Sequence, residues 1–158
     1  MIQLIAPCLW FDGQAEEAAR FYISIFKNSE IKNISYFPKA GYEVHEQKAG
    51  SVMTVDFVLD GQIFTALNGG SLFKFNEAVS FQVLCESQHE VDYYWQHLSE
   101  GGEEGPCGWL KDKFGLSWQI VPNAFIELMK NPEKAEIAFA AMMGMTKIDM
   151  DKIQELVK

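Results

Sequence analysis

The side chains best equipped for chemistry lie in the second half of the chain, in Cys107-Gly108-Trp109-Leu110-Lys111-Asp112 and in Ser117-Trp118-Gln119. A thiol reacts as its thiolate, which a nearby cation stabilises. Lys111 follows Cys107 on what reads as one face of a strand, so a reactive thiol is one reading of this string. The competing reading is preferred: a free cysteine usually behaves as a small buried hydrophobe. Alternate residues of a strand share a face. Ser117 and Gln119 therefore project to one side, and Leu116, Trp118 and Ile120 to the other. Polar groups on a concave face orient a ligand while aromatic rings supply contact area. Asp56, Cys107, Trp109, Ser117 and Gln119 are the resulting candidates for a ligand cleft, and Trp118 is assigned to the core.

Other chemistries find little footing. His45 sits in a polar stretch, while His89 and His97 share a helical one without the i, i+4 spacing of a helical metal site, so all three read as solvated surface. No Ser/His/Asp arrangement can be placed. A dinucleotide- or methyl-donor-type cofactor turn needs glycines between a buried strand and a helix. Here Gly69-Gly70 lies between a strand and a loop, and Gly101-Gly102 follows a helix instead of preceding one. Catalytic residues are left unassigned, and whether the chain is an enzyme stays open.

The elements that must position these residues follow from periodicity. Residues 2–11 are apolar on both alternating faces, as in a strand buried on both sides, until Asp12-Gly13-Gln14 breaks the run. Over residues 14–26, Ala15, Ala18, Ala19, Tyr22, Ile25 and Phe26 recur at helical spacing, with Glu16 and Glu17 in the first turn. Strand-like runs follow at 30–37, 51–59 and 62–67, the last two joined by Asp60-Gly61, a strong hairpin signal. The polar stretch 38–50 reads as a mobile loop.

The order then restarts. Residues 79–84 read as a strand, and 88–98 as a helix with Val91, Tyr94, Trp95 and Leu98 inward, ended by Gly101-Gly102. Strands at 107–112 and 116–121 turn at Lys113-Phe114-Gly115. Superimposing the two helices pairs Gln14 with Gln88, Glu16 with Glu90, Phe21 with Trp95 and the breaker Asp12 with Glu86. One strand–helix–strands unit thus occurs twice. Short helices at 123–130, 132–145 and 149–157 form a tail whose stripe of Ile137, Ala140, Ala141 and Met145 would pack against the sheet or a neighbouring subunit.

Bulk properties narrow the function classes. With 48% apolar and 22% charged residues in 158, the chain reads as soluble and globular. A net charge of -9 argues against nucleic-acid or anionic-membrane partners, which need clustered cations. No run is long and apolar enough to span a bilayer, and the opening residues do not read as a secretory leader. Three cysteines, an odd count with no CxxC, suit a reducing, cytoplasmic setting.

Several strings resemble the PhnB-like branch of the glyoxalase/bleomycin-resistance (vicinal oxygen chelate) superfamily, often labelled a 3-demethylubiquinone-9 3-methyltransferase domain. They are Leu9-Trp10-Phe11 with Gln14-Ala15-Glu16-Glu17-Ala18, Leu59-Asp60-Gly61-Gln62, Leu67-Asn68-Gly69-Gly70, and Gln88-His89-Glu90-Val91-Asp92 with Trp95. Most specific is the run from Cys107 to Gly115 with Ser117-Trp118-Gln119. The resemblance implies an α+β fold of two βαβββ modules, residues 1–70 and 77–122, with the helical tail 123–158, all in one structural domain. It also implies a shared cleft between the modules and a homodimer.

In the superfamily's metal enzymes, four strand positions supply His and Glu ligands to a divalent ion. The corresponding positions here hold Pro7, Val55 or Asp56, Val79 or Ser80, and Gln119. Pro and Val cannot donate, and Gln brings no charge, so no cofactor is expected and a divalent metal is unsupported by its ligand positions. The expectation is a metal-free cleft binding a small, partly apolar molecule. Three alternatives stay open: a metal-dependent isomerase, dioxygenase or thiol transferase; a methyltransferase, as the label suggests; or an interaction module built on Ile137, Phe139, Met142 and Met143.

Overall fold

The computed structural model describes residues 3–158; Ile2, the start of the first predicted strand, lies outside them. The chain's contacts group into two units, Met1–Lys74 and Phe75–Lys158. The first unit runs β1 (Cys8–Phe11), α1 (Ala15–Ile25), β2 (Glu30–Tyr36), α2 (Tyr42–His45), β3 (Val52–Leu59) and β4 (Gln62–Asn68). Its sheet has the order β1-β4-β3-β2, with β1 parallel to β4 and the other pairs antiparallel. The predicted inward residues Ala15, Ala18, Ala19, Tyr22 and Ile25 are all buried, and α1 packs on β3 and β4. Leu9, Phe11, Val55, Phe57, Phe64 and Ala66 meet it from the sheet. Gln14 gives this helix no side-chain cap. Asn68, at the end of β4, supplies it instead: its Oδ1 accepts from the Ala15 amide at 2.9 Å, while its Nδ2 donates to the Val52 carbonyl.

The structure departs from the sequence pattern at the first strand and in the 38–50 stretch. The first strand is four residues long and buried on one face only; Leu9 and Phe11 point inward, Cys8 is exposed, and Leu4 and Ile5 lie 94% and 79% exposed ahead of it. The reason is topological: β1 is an edge strand whose helix covers one side, so apolar composition overstated its burial. The 38–50 stretch is not structureless either. It contains the single turn α2, bracketed by left-handed backbone at Gly41 and Glu46. The His45 ring stitches it together, bonding to the Ala40 carbonyl and accepting from the Gln47 amide.

The second unit runs β5 (Ser80–Cys85), α3 (Gln88–Ser99), β6 (Glu103–Glu104), β7 (Trp109–Lys111), β8 (Ser117–Pro122), α4 (Asn123–Met129), α5 (Pro132–Met143) and α6 (Met150–Leu156). Its sheet order, β5-β8-β7-β6, repeats that of the first. The two-residue β6 carries no apolar signal and was missed by periodicity; it is defined by Glu103 pairing with Lys111 and Glu104 with Leu110. Ser87 caps α3, its Oγ accepting the Glu90 amide, and the Glu90 carboxylate accepts the amide of Glu86, the residue before the cap. Val91, Trp95 and Leu98 are buried, whereas Tyr94 is only half-buried. Burial matches Ala18 with Val91, Tyr22 with Trp95 and Ile25 with Leu98, so the helices align one residue away from the pairing of Phe21 with Trp95. The strands preceding them keep the breaker alignment, β1 ending at Phe11 and β5 at Cys85.

The three tail helices build a satellite core from Phe125, Ala138, Ile148, Met150, Ile153 and Val157, with Leu128, Ala141, Met142 and Met145 around it. The inward stripe of α5 is therefore Ala138, Ala141 and Met142, continued by Met145 just past its end, and Ile137 and Ala140 face outward. The tail docks within its own unit. Gln88 bonds both the Ile148 carbonyl and the Met150 amide, and Lys147 pairs with Asp92. No helix among the described residues is long and apolar enough to cross a membrane.

The β7–β8 hairpin is held by a buried carboxylate. Asp112, 2% exposed, accepts the amides of Phe114 and Leu116 on Oδ1 and the Trp118 indole N–H on Oδ2 at 2.9 Å. Asp112→Ala should cost roughly 2–4 kcal/mol in urea unfolding, because three buried donors lose their acceptor. Asp112→Asn should cost less, since an amide oxygen can still take both backbone amides while its NH2 opposes the indole.

Candidate functional site

In each unit one face of the sheet carries the helix and the other does not. On the second sheet, Leu110, Trp118 and Ile120 are buried on the α3 side. Trp118 is thus core, as expected, at 3% exposure. The ladder puts the remaining side chains in two rows on the opposite face. Lys111 stands against Ser117 and Ser117 against Ser80; Trp109 stands against Gln119 and Gln119 against Gln82. An indole, an ammonium, two hydroxyls and two amides therefore share one surface.

The strand ends align the two sheets. Phe11 pairs with Asn68 at the close of β1 and β4, as Cys85 pairs with Pro122 at the close of β5 and β8. Counting back, Cys8, Thr65 and Asp56 occupy the places of Gln82, Gln119 and Trp109. Asp56 and Trp109, chosen separately from the sequence, are topological equivalents in the two units. Asp56 is half-buried and accepts from the Thr65 hydroxyl at 2.8 Å. Gln119 donates through Nε2 to the Ser80 hydroxyl at 2.8 Å.

A depression of about 500 Å³ opens on the second unit, lined by Glu77, Glu103, Cys107, Trp109, Lys111 and Ser117 among others. It gathers three of the five candidates: Cys107, Trp109 and Ser117. Gln119 lies one ladder position away, opposite Trp109 and outside the lining, and Asp56 belongs to the other unit. Ser117 is 1% exposed and its Oγ has no hydrogen-bond partner. A buried polar group left unpaired costs about 1–3 kcal/mol.

Cys107 is not on the strand with Lys111. It lies in the turn before β7 with left-handed backbone, φ 60°. Its amide donates to the Met145 carbonyl and that of Gly108 to Thr146, so the tail fixes this turn. Gly108 is required there: φ is +83°, and a Cβ would come within 2.9 Å of the Ile120 carbonyl oxygen and of the Ile148 side chain. The Cys107 sulfur is 3.7 Å from that of Met143. Lys111 meanwhile stands in β7 and pairs with Glu77. That pairing holds the Glu77 carboxyl below its ordinary range and raises Lys111. Glu77 and Glu103 escaped sequence reasoning, because one belongs to the connection ahead of β5 and the other to the unrecognised β6.

The donor set can be tested against a divalent ion. Pro7 has no donor, Asp56 is engaged by Thr65, and Ser80 by Gln119. No group of three or more His, Cys, Asp or Glu side chains able to hold a metal occurs among the described residues. Cys8, on the same face as Asp56, is a poor thiolate although exposed: partial desolvation by its neighbours and, after it, the Asp56 charge push its pKa up. The residues present do not fit a dication.

Against this geometry, the family model described as 3-demethylubiquinone-9 3-methyltransferase matches residues 3–121. The chain belongs to that family. The PhnB protein from Bacillus cereus is 36% identical to it, over 76% of this chain and 99% of that one, with a TM-score of 0.65. Protein PA1353 from Pseudomonas aeruginosa is 19% identical over 77% and 98%, TM-score 0.62. The fosfomycin resistance protein FosX from Listeria monocytogenes, solved with Mn(II) and sulfate, is 19% identical over 84% and 99%, TM-score 0.55. The last two show the fold alone, the glyoxalase/bleomycin-resistance fold. No curated protein matches this chain. Membership in a 3-demethylubiquinone-9 3-methyltransferase family names a lineage; the fold hosts unrelated chemistries.

Two outcomes follow for this family member. Ser117→Ala should leave stability unchanged or raise it by up to about 1–2 kcal/mol in urea unfolding, since it removes an unpaired hydroxyl; a clear loss would mean that the hydroxyl is partnered. The Cys85 thiol is buried, and burial, with the Glu90 and Glu86 charges adding, pushes its pKa from 9.0 up to about 12. The folded chain keeps this proton where the unfolded chain loses it, so the contribution is intact below pH 9.0 and is lost as pH rises towards about 12. Its slope is at most about 1.4 kcal/mol per pH unit. Urea midpoints measured across that window should fall more steeply for the wild type than for Cys85→Ala.

Proposed function

We propose that this chain binds a small, partly apolar organic molecule on the open face of its second sheet and does so without a divalent metal. The observation that carries the reading is the depression in which Trp109 offers an aromatic surface and Ser117 an unpaired hydroxyl. Apolar area with a few convergent polar groups is the usual makeup of a small-molecule site. The metal-free part rests on the donor chemistry. A manganese site like that named for FosX would need several charged ligands, and here Pro7, Val55 or Asp56, Val79 or Ser80, and Gln119 stand where the superfamily's ligands are expected, with Asp56 the one carboxylate among them.

The family description suggests methyl transfer, but neither strand–helix junction supports a methyl-donor site of the glycine-rich type. The β1–α1 junction is Asp12-Gly13-Gln14 and the β5–α3 junction is Glu86-Ser87. Binding is accordingly the better-supported activity.

The test has two arms on purified chain. In a thermal-shift series with Mn, Zn, Ni and Fe(II), a site filled a hundredfold above its dissociation constant would add about 2.7 kcal/mol, a rise of roughly 5–10 °C at this length. The expected rise is under about 1 °C; a stoichiometric metal, lost in Asp56→Ala or Gln119→Ala, would overturn the metal-free reading. In an NMR screen of aromatic fragments, hits should move the Trp109 indole and Gln119 side-chain signals. A screen whose hits all map elsewhere, or that yields none, would refute binding at this face.

A further inference from the structure

Lys111 is the one cationic side chain among the described residues lining the depression, and Glu77 occupies it. Glu77 sits in a turn ahead of β5, in no strand or helix, next to an Asn76 side chain that accepts the Ala78 amide. Both partners are well exposed, at 37% and 58% of their side chains. Ion pairs exposed to this degree are weak and readily exchanged. Directly opposite Lys111 in the ladder is Ser117, with its buried and unpaired Oγ, and Trp109 lies two residues back on the same face. A cation with a loosely held partner, a hydroxyl lacking one and an indole thus lie side by side.

We infer that Glu77 is a placeholder, and that the depression takes molecules in which a carboxylate is attached to a flat or apolar body. The ligand's carboxylate displaces Glu77 from Lys111 and accepts a hydrogen bond from Ser117, while its body lies against Trp109. The inference rests on the binding reading above and names its ligand class. A monoanion replaces Glu77 charge for charge. A dianionic phosphate would add charge beside Glu103 and Glu104, which line the same depression, so a carboxylate is favoured over a phosphate. The direction of the Lys111 shift agrees: its neighbours Glu77 and Glu103 keep it cationic and able to receive an anion.

The experiment uses the full chain, with the Trp109 indole N–H signal assigned by Trp109→Phe. Benzoate, benzamide and phenyl phosphate are the probes. Benzoate should bind more tightly than the other two. Glu77→Gln should tighten benzoate by about twofold to fivefold, the range set by removing one exposed competitor, and leave benzamide unchanged. Ser117→Ala should weaken benzoate. In a Lys111→Gln background, Glu77→Gln should have no effect and benzoate should lose its advantage over benzamide. If Glu77→Gln tightens benzoate equally without Lys111, its effect is a general field and the placeholder is refuted. Benzamide binding as well as benzoate, or phenyl phosphate binding better, overturns the carboxylate class while leaving small-molecule binding at this face intact. If no probe moves Trp109 in either the wild type or Glu77→Gln, the inference fails; the fragment screen then decides the broader reading separately.

Discussion

The grip of Asp112 on its own hairpin is the constraint on which the second unit's arrangement depends. A carboxylate taken out of water is tolerated only when donors surround it. Two of its donors are backbone amides of the turn, and the third is the Trp118 indole. The same atom group therefore shapes the turn and pins the largest side chain of β8 into the core. With Trp118 held inward, strand alternation sends Ser117 and Gln119 outward. A one-residue slip would exchange the two faces and put the polar row under α3.

The uncovered faces carry different chemistry despite shared topology. In the first unit the equivalent row is Cys8, Thr65 and Asp56; in the second it is Gln82, Gln119 and Trp109. Each row spends its polar groups on near neighbours, Thr65 on Asp56 and Gln119 on Ser80. These bonds fix the orientation of the side chains within each face and leave Asp56 as the one carboxylate among the two rows. The exception is Ser117, whose hydroxyl has not been satisfied by the fold. Most buried polar groups are paired, so Ser117, in the neighbouring row between Lys111 and Ser80, stands out on this face.

Much of this was legible in the sequence, for identifiable reasons. The buried faces of α1 and α3 follow from spacing alone, and Gln119 and Ser117 share a face because strands alternate. The repeated order of elements was visible even though the helix pairing was off by one residue. That shift comes from the connections: Asp12, Gly13 and Gln14 separate β1 from α1, whereas only Glu86 and Ser87 separate β5 from α3. What stayed hidden was set by tertiary partners. Two consecutive glutamates form β6 only because Lys111 and Leu110 lie alongside. Glu77 joins the depression through an ion pair that no periodicity encodes. Residues 2–11 looked doubly buried because hydrophobicity reports the wish to be covered, while a single helix on an edge strand covers one side.

The tail links distant sequence to the depression without supplying a polar group to it. Gln88 at the start of α3 holds Ile148 and Met150, and through them the segment from Met145 to Thr146 that receives the amides of Cys107 and Gly108. Gly108 must be glycine because Ile148 and the β8 backbone close on it from two sides. The left-handed backbone of Cys107 thus persists because α3, β8 and the tail all constrain the turn leading into β7. That turn sets where Trp109 begins its strand. Cys107, with its sulfur against Met143 and its amide held by the Met145 carbonyl, thereby aims Trp109.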